Sequence, residues 1–320
     1  MGEKPRRHRP RIKKIPPPFV ESPYINPFID FAFKKIFASE TSRDLLKAFL
    51  NEVMAGIRHI QKVEYNKNEY PGEIKKEGGA VFDIVCTDDH GAKFLIEVQR
   101  AEQENFKERS VFYASRLISD QAPKGDRRDW AYKLKEVYTI SLLENFNLPD
   151  TQPNEYFHDI SLGNGEGNVF YSKLSFIYIE LNKFLKKPEE LETGLDQWLY
   201  ALKHMTKFSE QPPYLKEPEI EQLFNLAKLT NLTPEEREMY RTAQQVRWDN
   251  QNVMDFAKKQ ATKQGLEQGL AQGLKQGLEQ GKAQALAEKK EMAREMKKDK
   301  FPIEQIAKLT KLPLETIQEL

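Results

Sequence analysis

The chain has 320 residues, of which 39% are hydrophobic and 31% charged, with a formal net charge of +1. These figures predict a soluble protein with a sizeable core, one large domain or two modest ones. They exclude a membrane-spanning segment, because no run nears the roughly 18–20 apolar residues of a span.

The single cysteine, Cys86, excludes an internal disulfide and reads as a buried packing thiol. The chain start lacks the apolar core of a secretory signal, so the expected compartment is the cytoplasm. A near-neutral charge means that any nucleic-acid contact must rest on local patches. Residues 1–22 supply one: Arg6, Arg7, Arg9, Arg11, Lys13 and Lys14 precede Pro16, Pro17 and Pro18. That segment reads as a disordered tail, either solvated or touching phosphate backbone non-specifically.

From Phe28 the apolar spacing is helical, through Phe31, Ile36 and Phe37. Asp30 and Lys34 stand one turn apart there, as an ordinary helix ion pair does. A second helix over residues 42–54 lines up Leu45, Leu46, Phe49, Leu50 and Val53. Residues 59–65 (HIQKVEY) read as a strand. Tyr70, Pro71 and Gly72 then mark a loop, and Glu73 and Glu77 follow as solvated charges.

Residues 78–100, GGAVFDIVCTDDHGAKFLIEVQR, are the most informative stretch. Residues 80–86 and 93–100 are β-branched, apolar runs on either side of a polar turn, which predicts an antiparallel hairpin. If the loop is symmetric about His90, facing residues have numbers summing to 180, and Asp83 lies opposite Glu97. Glu97 and Gln99 share one face while Val98 points away. Two carboxylates at cross-strand distance repel, and an isolated buried carboxylate is costly. A hard divalent cation removes both penalties, so the pattern predicts a small Mg²⁺ (or Mn²⁺) site on one face of the hairpin; the alternative is a pair of half-exposed acids at a sheet edge.

Residues 101–121 read as a long helix with Phe106, Val111, Phe112, Ala114, Leu117 and Ile118 buried, and with Arg109 and Tyr113 one turn apart. A loop at 124–126 and a short helix at 130–134 follow. Residues 136–143 (EVYTISLL) form a strand, residues 144–168 a loop, and residues 170–181 (FYSKLSFIYIEL) a strand ending in a pairing carboxylate, Glu180. The order α-α-β-β-β-α-β-β predicts a mixed sheet flanked by helices.

Beyond residue 182 the patterns are helical, in separate pieces at 188–203, 218–229, 234–260 and 283–300. Between the last two, glycines recur every four residues from Gly265 to Gly281, each but the last followed by leucine (266, 270, 274, 278). Such a repeat suits a soluble self-association element, a spacer, or a low-complexity linker. Residues 301–320 suggest two short helices around residues 310–312, with Ile303, Ile306, Ala307, Leu309, Leu312 and Ile317 as a small core. This helix-turn-helix-like tail lacks a third helix. The histidines at 8, 59, 90, 158 and 204 are scattered, and no phosphate-cradling glycine motif or paired cysteine is present.

These stretches together resemble the PD-(D/E)XK nuclease superfamily, with an Asp on one strand and E-x-K on the next. The chain more closely resembles its Rpn branch of recombination-promoting nucleases and transposase-like proteins. Residues 24–37 (YINPFIDFAFKKIF), VFDIVC, IEVQR, residues 109–121 (RSVFYASRLISDQ), FIYIELNKF at 176–184 and the glycine–leucine repeats carry the resemblance, across nearly all of residues 23–320. It implies an α/β fold: a restriction-endonuclease-like mixed-sheet core over residues 23–185, then an α-helical region. That region divides into an extension at 186–260, the repeat and charged helix at 261–300, and the tail at 301–320.

The resemblance also implies a metal-dependent DNA endonuclease of low sequence specificity, linked to recombination or mobile elements. Asp83, Glu97 and the Val98 carbonyl would hold the cation, with Asp30 as an auxiliary acid. Lys34 and Arg109 would contact DNA phosphate, and Tyr113 would position water or support a strand. One departure matters. Gln99 stands where most members carry Lys; it would orient water or phosphate, but it leaves the charge-stabilising role unassigned. The alternative is a catalytically inactive nuclease-fold protein that binds nucleic acid, or assembles as a homo-oligomer through its C-terminal helices.

Overall fold

The computed structural model describes residues 22–66, 84–100, 105–123, 130–149 and 151–320. The expectations for the basic tail, the loops at 70–72 and 124–126, Glu73, Glu77 and Asp83 lie outside the described residues.

Two helices open the described chain, α1 (Asp30–Phe37) and α2 (Arg43–Val53). α1 begins two residues later than its apolar pattern. Asn26 Oδ1 accepts from Phe28 N at 2.9 Å, an Asx turn that competes with helix at residues 27–29. Six strands follow: β1 (Val63–Tyr65), β2 (Ile84–Asp88), β3 (Lys93–Gln99), β4 (Val137–Leu143), β5 (Phe157–Gly163) and β6 (Val169–Glu180). They form one sheet in the order β1-β2-β3-β4-β6-β5. β3–β4 and β4–β6 are parallel and the other pairs antiparallel, so this is the mixed α/β sheet the sequence predicts.

The hairpin register agrees with the expectation. Ile84 pairs with Ile96, Val85 with Leu95, Cys86 with Phe94 and Thr87 with Lys93, each pair summing to 180. The turn chemistry explains why. Asp88 Oδ1 accepts from His90 N at 2.9 Å and Ala92 N at 2.8 Å, and Arg58 Nε donates to Asp88 Oδ2 at 2.5 Å. Gly91 sits at φ +86°, open to glycine and strained for other residues.

Helix α3 (Phe106–Ser119) links the parallel strands β3 and β4 and covers one face of the sheet. Its buried residues are Phe106, Ser110, Ala114 and Leu117. That phase turns Val111 and Phe112 to solvent, against expectation. The opposite face carries the larger core, built with α1, α2, α4 (Gly194–His204) and α5 (Pro218–Leu226). Phe49 is fully buried there, its ring centroid 5.5 Å from Phe37 and 5.3 Å from Trp198. Burying one such ring contributes about 1.5–3 kcal/mol.

Three further expectations are corrected. Residues 144–168, read as a loop, contain β5, which among the described strands pairs with β6 at one edge of the sheet. Residues 130–134 are not a helix, because Ala131 and Tyr132 take left-handed φ of 48° and 55°. The separate helices expected between 234 and 300 are one 65-residue helix, α6 (Pro234–Lys298). Among the described residues no helix is long and apolar enough to cross a membrane.

The chain divides into two compact units, residues 1–246 and 247–320. In the second, Leu266, Leu270, Leu274 and Leu278 of α6 are exposed, and beyond the local helix backbone no described atom lies within 4 Å of where a Cβ would stand on the repeat glycines. α7 (Ile303–Thr310) and α8 (Leu314–Gln318) join at Lys311, whose left-handed φ of 57° makes the turn. The end of α6 provides the third helix absent from the tail's own pattern. Ala293 is buried with Ile306, Leu312 and Ile317, and Lys297 Nζ donates to the carbonyls of Ile317 (3.1 Å) and Gln318 (2.9 Å). Ile303 and Leu309, expected in this core, are exposed.

Candidate active site

Strand alternation places the site. Phe94, Ile96 and Val98 of β3 pack toward the larger core, while Leu95 faces the α3 side. Glu97 and Gln99 share one face, as predicted, and by the parity of Leu95 that face is the α3 side. Both are buried although polar, Glu97 at 5% exposure and Gln99 at 8%.

Arg109, one turn into α3, reaches both. Its Nη2 donates to Gln99 Oε1 and lies 4.0 Å from Glu97 Oε2. The guanidinium also lies over two rings of its own helix, 5.8 Å from Phe106 and 5.7 Å from Tyr113. Tyr113 is thus a packing and cation-holding residue, half-buried against the α3 core.

Burial pushes the Glu97 carboxyl up to about 7, and Arg109 offsets only part of that. Desolvation prevails because the cation is not in hydrogen-bonding contact. Among the described residues Glu97 Oε2 is buried without a hydrogen-bond partner. A desolvated carboxylate so poorly satisfied, as a hard donor, fits a hard divalent cation. Gln99 O accepts from Glu144 N at 2.9 Å, so odd-numbered carbonyls of β3 point to β4. By alternation the Val98 carbonyl points to the β2 side.

The row through Glu97 runs across the sheet: Glu97 pairs with Ser141 of β4, Ser141 with Tyr178 of β6, and Tyr178 with His158 of β5. Burial raises the Tyr178 phenol; a hydrogen bond with Ser110 opposes the rise and the Glu97 charge adds to it. Ser141 and Thr139, two residues apart in a largely apolar strand, are both buried, and among the described residues neither hydroxyl has a hydrogen-bond partner. Sequence reasoning passed over them because Thr and Ser suit a strand. Their i, i+2 spacing in VYTISLL was the available signal.

The structure therefore brings Glu97, Gln99 and Arg109 together. It puts Asp30 and Lys34 on α1, in the layer on the other face of the sheet, paired at 2.9 Å. Asp83 lies outside the described residues. Among the described residues no group of three His, Cys, Asp or Glu side chains is placed to hold a metal. Cys86 is buried and its thiol is pushed up by that burial, as befits a packing residue. Glu180 is fully buried but satisfied. It accepts from Leu148 N at 3.2 Å, Thr151 Oγ1 at 2.9 Å and Lys183 Nζ at 3.1 Å, and His158 Nε2 stands 2.7 Å away.

No curated protein and no solved structure matches the chain significantly. The family model of PD-(D/E)XK nuclease family transposases matches residues 27–257, a span that includes the hairpin, α3 and the whole sheet. With that match over most of its length, the chain belongs to the PD-(D/E)XK nuclease family transposases.

Proposed function

We propose that this chain is a divalent-metal-dependent DNA endonuclease that hydrolyses phosphodiester bonds with little sequence preference. The reading rests on one observation above the others: Glu97, Gln99 and Arg109 converge, two of them buried, at the end of a central strand. In this family such a strand carries the nuclease centre.

Asp83 and Glu97 supply the carboxylates, and the Val98 carbonyl supplies a further oxygen. A bound Mg²⁺ or Mn²⁺ would stabilise charge developing on the phosphate and acidify a water. Gln99 is neutral, so it orients rather than removes protons. Arg109, held on the Gln99 amide, supplies the fixed positive charge that Lys would bring at position 99, and it is the phosphate contact. Asp30 and Lys34 belong to the same proposal as an outer acid and a second phosphate contact.

Plasmid cleavage by purified protein with Mg²⁺ or Mn²⁺ tests this. Wild type is expected to nick or linearise. Asp83→Ala and Glu97→Ala are each expected to fall by at least a factor of about 100, because several kcal/mol of charge stabilisation is lost. Equal cleavage by all three proteins would overturn the site. Metal-independent DNA binding without cleavage would put the inactive nuclease-fold reading in its place.

A further inference from the structure

Ser141 stands directly beside Glu97 in the parallel ladder between β3 and β4. Paired residues of adjacent strands project to the same face, with strands about 4.8 Å apart. The face is the one under α3, since Val137 and Leu143, of the same parity as Ser141 on β4, pack in the α3 core. Ser141 is fully buried, and among the described residues its Oγ has no hydrogen-bond partner; neither has Glu97 Oε2. A hydroxyl carries one proton to give, and an ionised carboxylate can only accept. An orphan donor and an orphan acceptor therefore stand on paired residues in a buried layer, where each is costly alone. Rotation about the Ser141 side chain, or one bridging water, would satisfy both.

We propose that Ser141 is a positioning residue for Glu97: its hydroxyl holds one carboxylate oxygen, so that the other is presented to the cation. This rests on the reading of Glu97 as a metal ligand. Partners that orient a ligand commonly set metal affinity by factors of 10–100. Thr139 provides an internal comparison. It is a second fully buried, unpartnered hydroxyl on the same face of β4, but it pairs with Leu95, not with a carboxylate.

The test is Mn²⁺ binding to the full-length protein by calorimetry, a readout independent of cleavage. Wild type is compared with Glu97→Ala, Ser141→Ala, Ser141→Thr and Thr139→Val, each first shown to melt cooperatively. Ser141→Ala is expected to weaken binding about tenfold. Ser141→Thr, which keeps the hydroxyl, should stay near wild type, and Thr139→Val should bind normally. If Glu97→Ala abolishes binding while Ser141→Ala binds as wild type does, the role of Ser141 falls and the site stands. Equal weakening by Thr139→Val would also overturn it, because the effect would then be general to β4. Wild type that binds no Mn²⁺ would overturn both this inference and the metal-site reading beneath it.

Discussion

Glu97→Gln is expected to stabilise the metal-free protein at pH 8 while removing the proposed DNA cleavage. Burial raises the folded Glu97 carboxyl from its usual 4.5 to about 7. Between those values the folded chain keeps a proton that the unfolded chain has released. The contribution of Glu97 to stability is thus fully present below about pH 4.5. It is lost as pH rises through 7, at a cost of about 3 kcal/mol once the group is charged. Glutamine is nearly isosteric and carries no charge to desolvate, so it escapes that cost. Thermal melts in EDTA should show the variant several degrees above wild type at pH 8, with the gap closing towards pH 5. A gap of the same size at both pH values, or a destabilised variant at pH 8, would show that Glu97 is not carrying a buried charge. The opposed signs of the effects on stability and activity are what a group retained for chemistry should give.

Glu180→Ala is expected to cost about 3–5 kcal/mol. The Glu180 carboxylate is the shared acceptor for a backbone N–H, the Thr151 hydroxyl and Lys183, and His158 is in contact. Its removal leaves the Lys183 ammonium, itself only 8% exposed, without its buried counter-charge. It also unties Leu148 and Thr151 from the end of β6. Urea denaturation measures the loss directly. Glu180→Gln keeps an acceptor without the charge and should fall between the two. A change below about 1 kcal/mol for Glu180→Ala would mean that the loop and Lys183 find solvent at little cost, and that the network is incidental.

The site was legible where local chemistry fixes geometry. A loop closed by Asp88 and Gly91 admits one register, so that register followed from the sequence, and with it the shared face of Glu97 and Gln99. The Arg109 contact needed the resemblance as well, because periodicity placed Phe106, Ala114 and Leu117 correctly but added Val111 and Phe112 to the buried face. Phe112 and Val111 outweighed Ser110 in an apolar count, yet Ser110 is the buried one. β5 escaped notice because FHDISLG has no regular apolar–polar alternation and no buried residue, and its strand character comes from its pairing with β6. The third helix of the tail unit was hidden because Ala293 and Met296 sit in a highly charged run whose apolar face shows only against α7 and α8. The pairing of Ser141 with Glu97 joins residues 44 positions apart through a parallel crossover, which no local pattern encodes.

The position of β4 governs which part of the molecule opens last. All seven of its residues are buried, and it has a parallel strand on each side, so local fraying at either sheet edge leaves its amides unexposed. Deuterium reaches such amides only when the unit containing the sheet unfolds as a whole. The slowest-exchanging protons between Val137 and Leu143 should therefore report the free energy of that unit's global opening. Protons in β5, which is paired along one side only, should exchange through smaller openings. A substitution at Glu97 or Glu180 that acts on the fold as a whole will shift the β4 rates by the same free energy seen in denaturation.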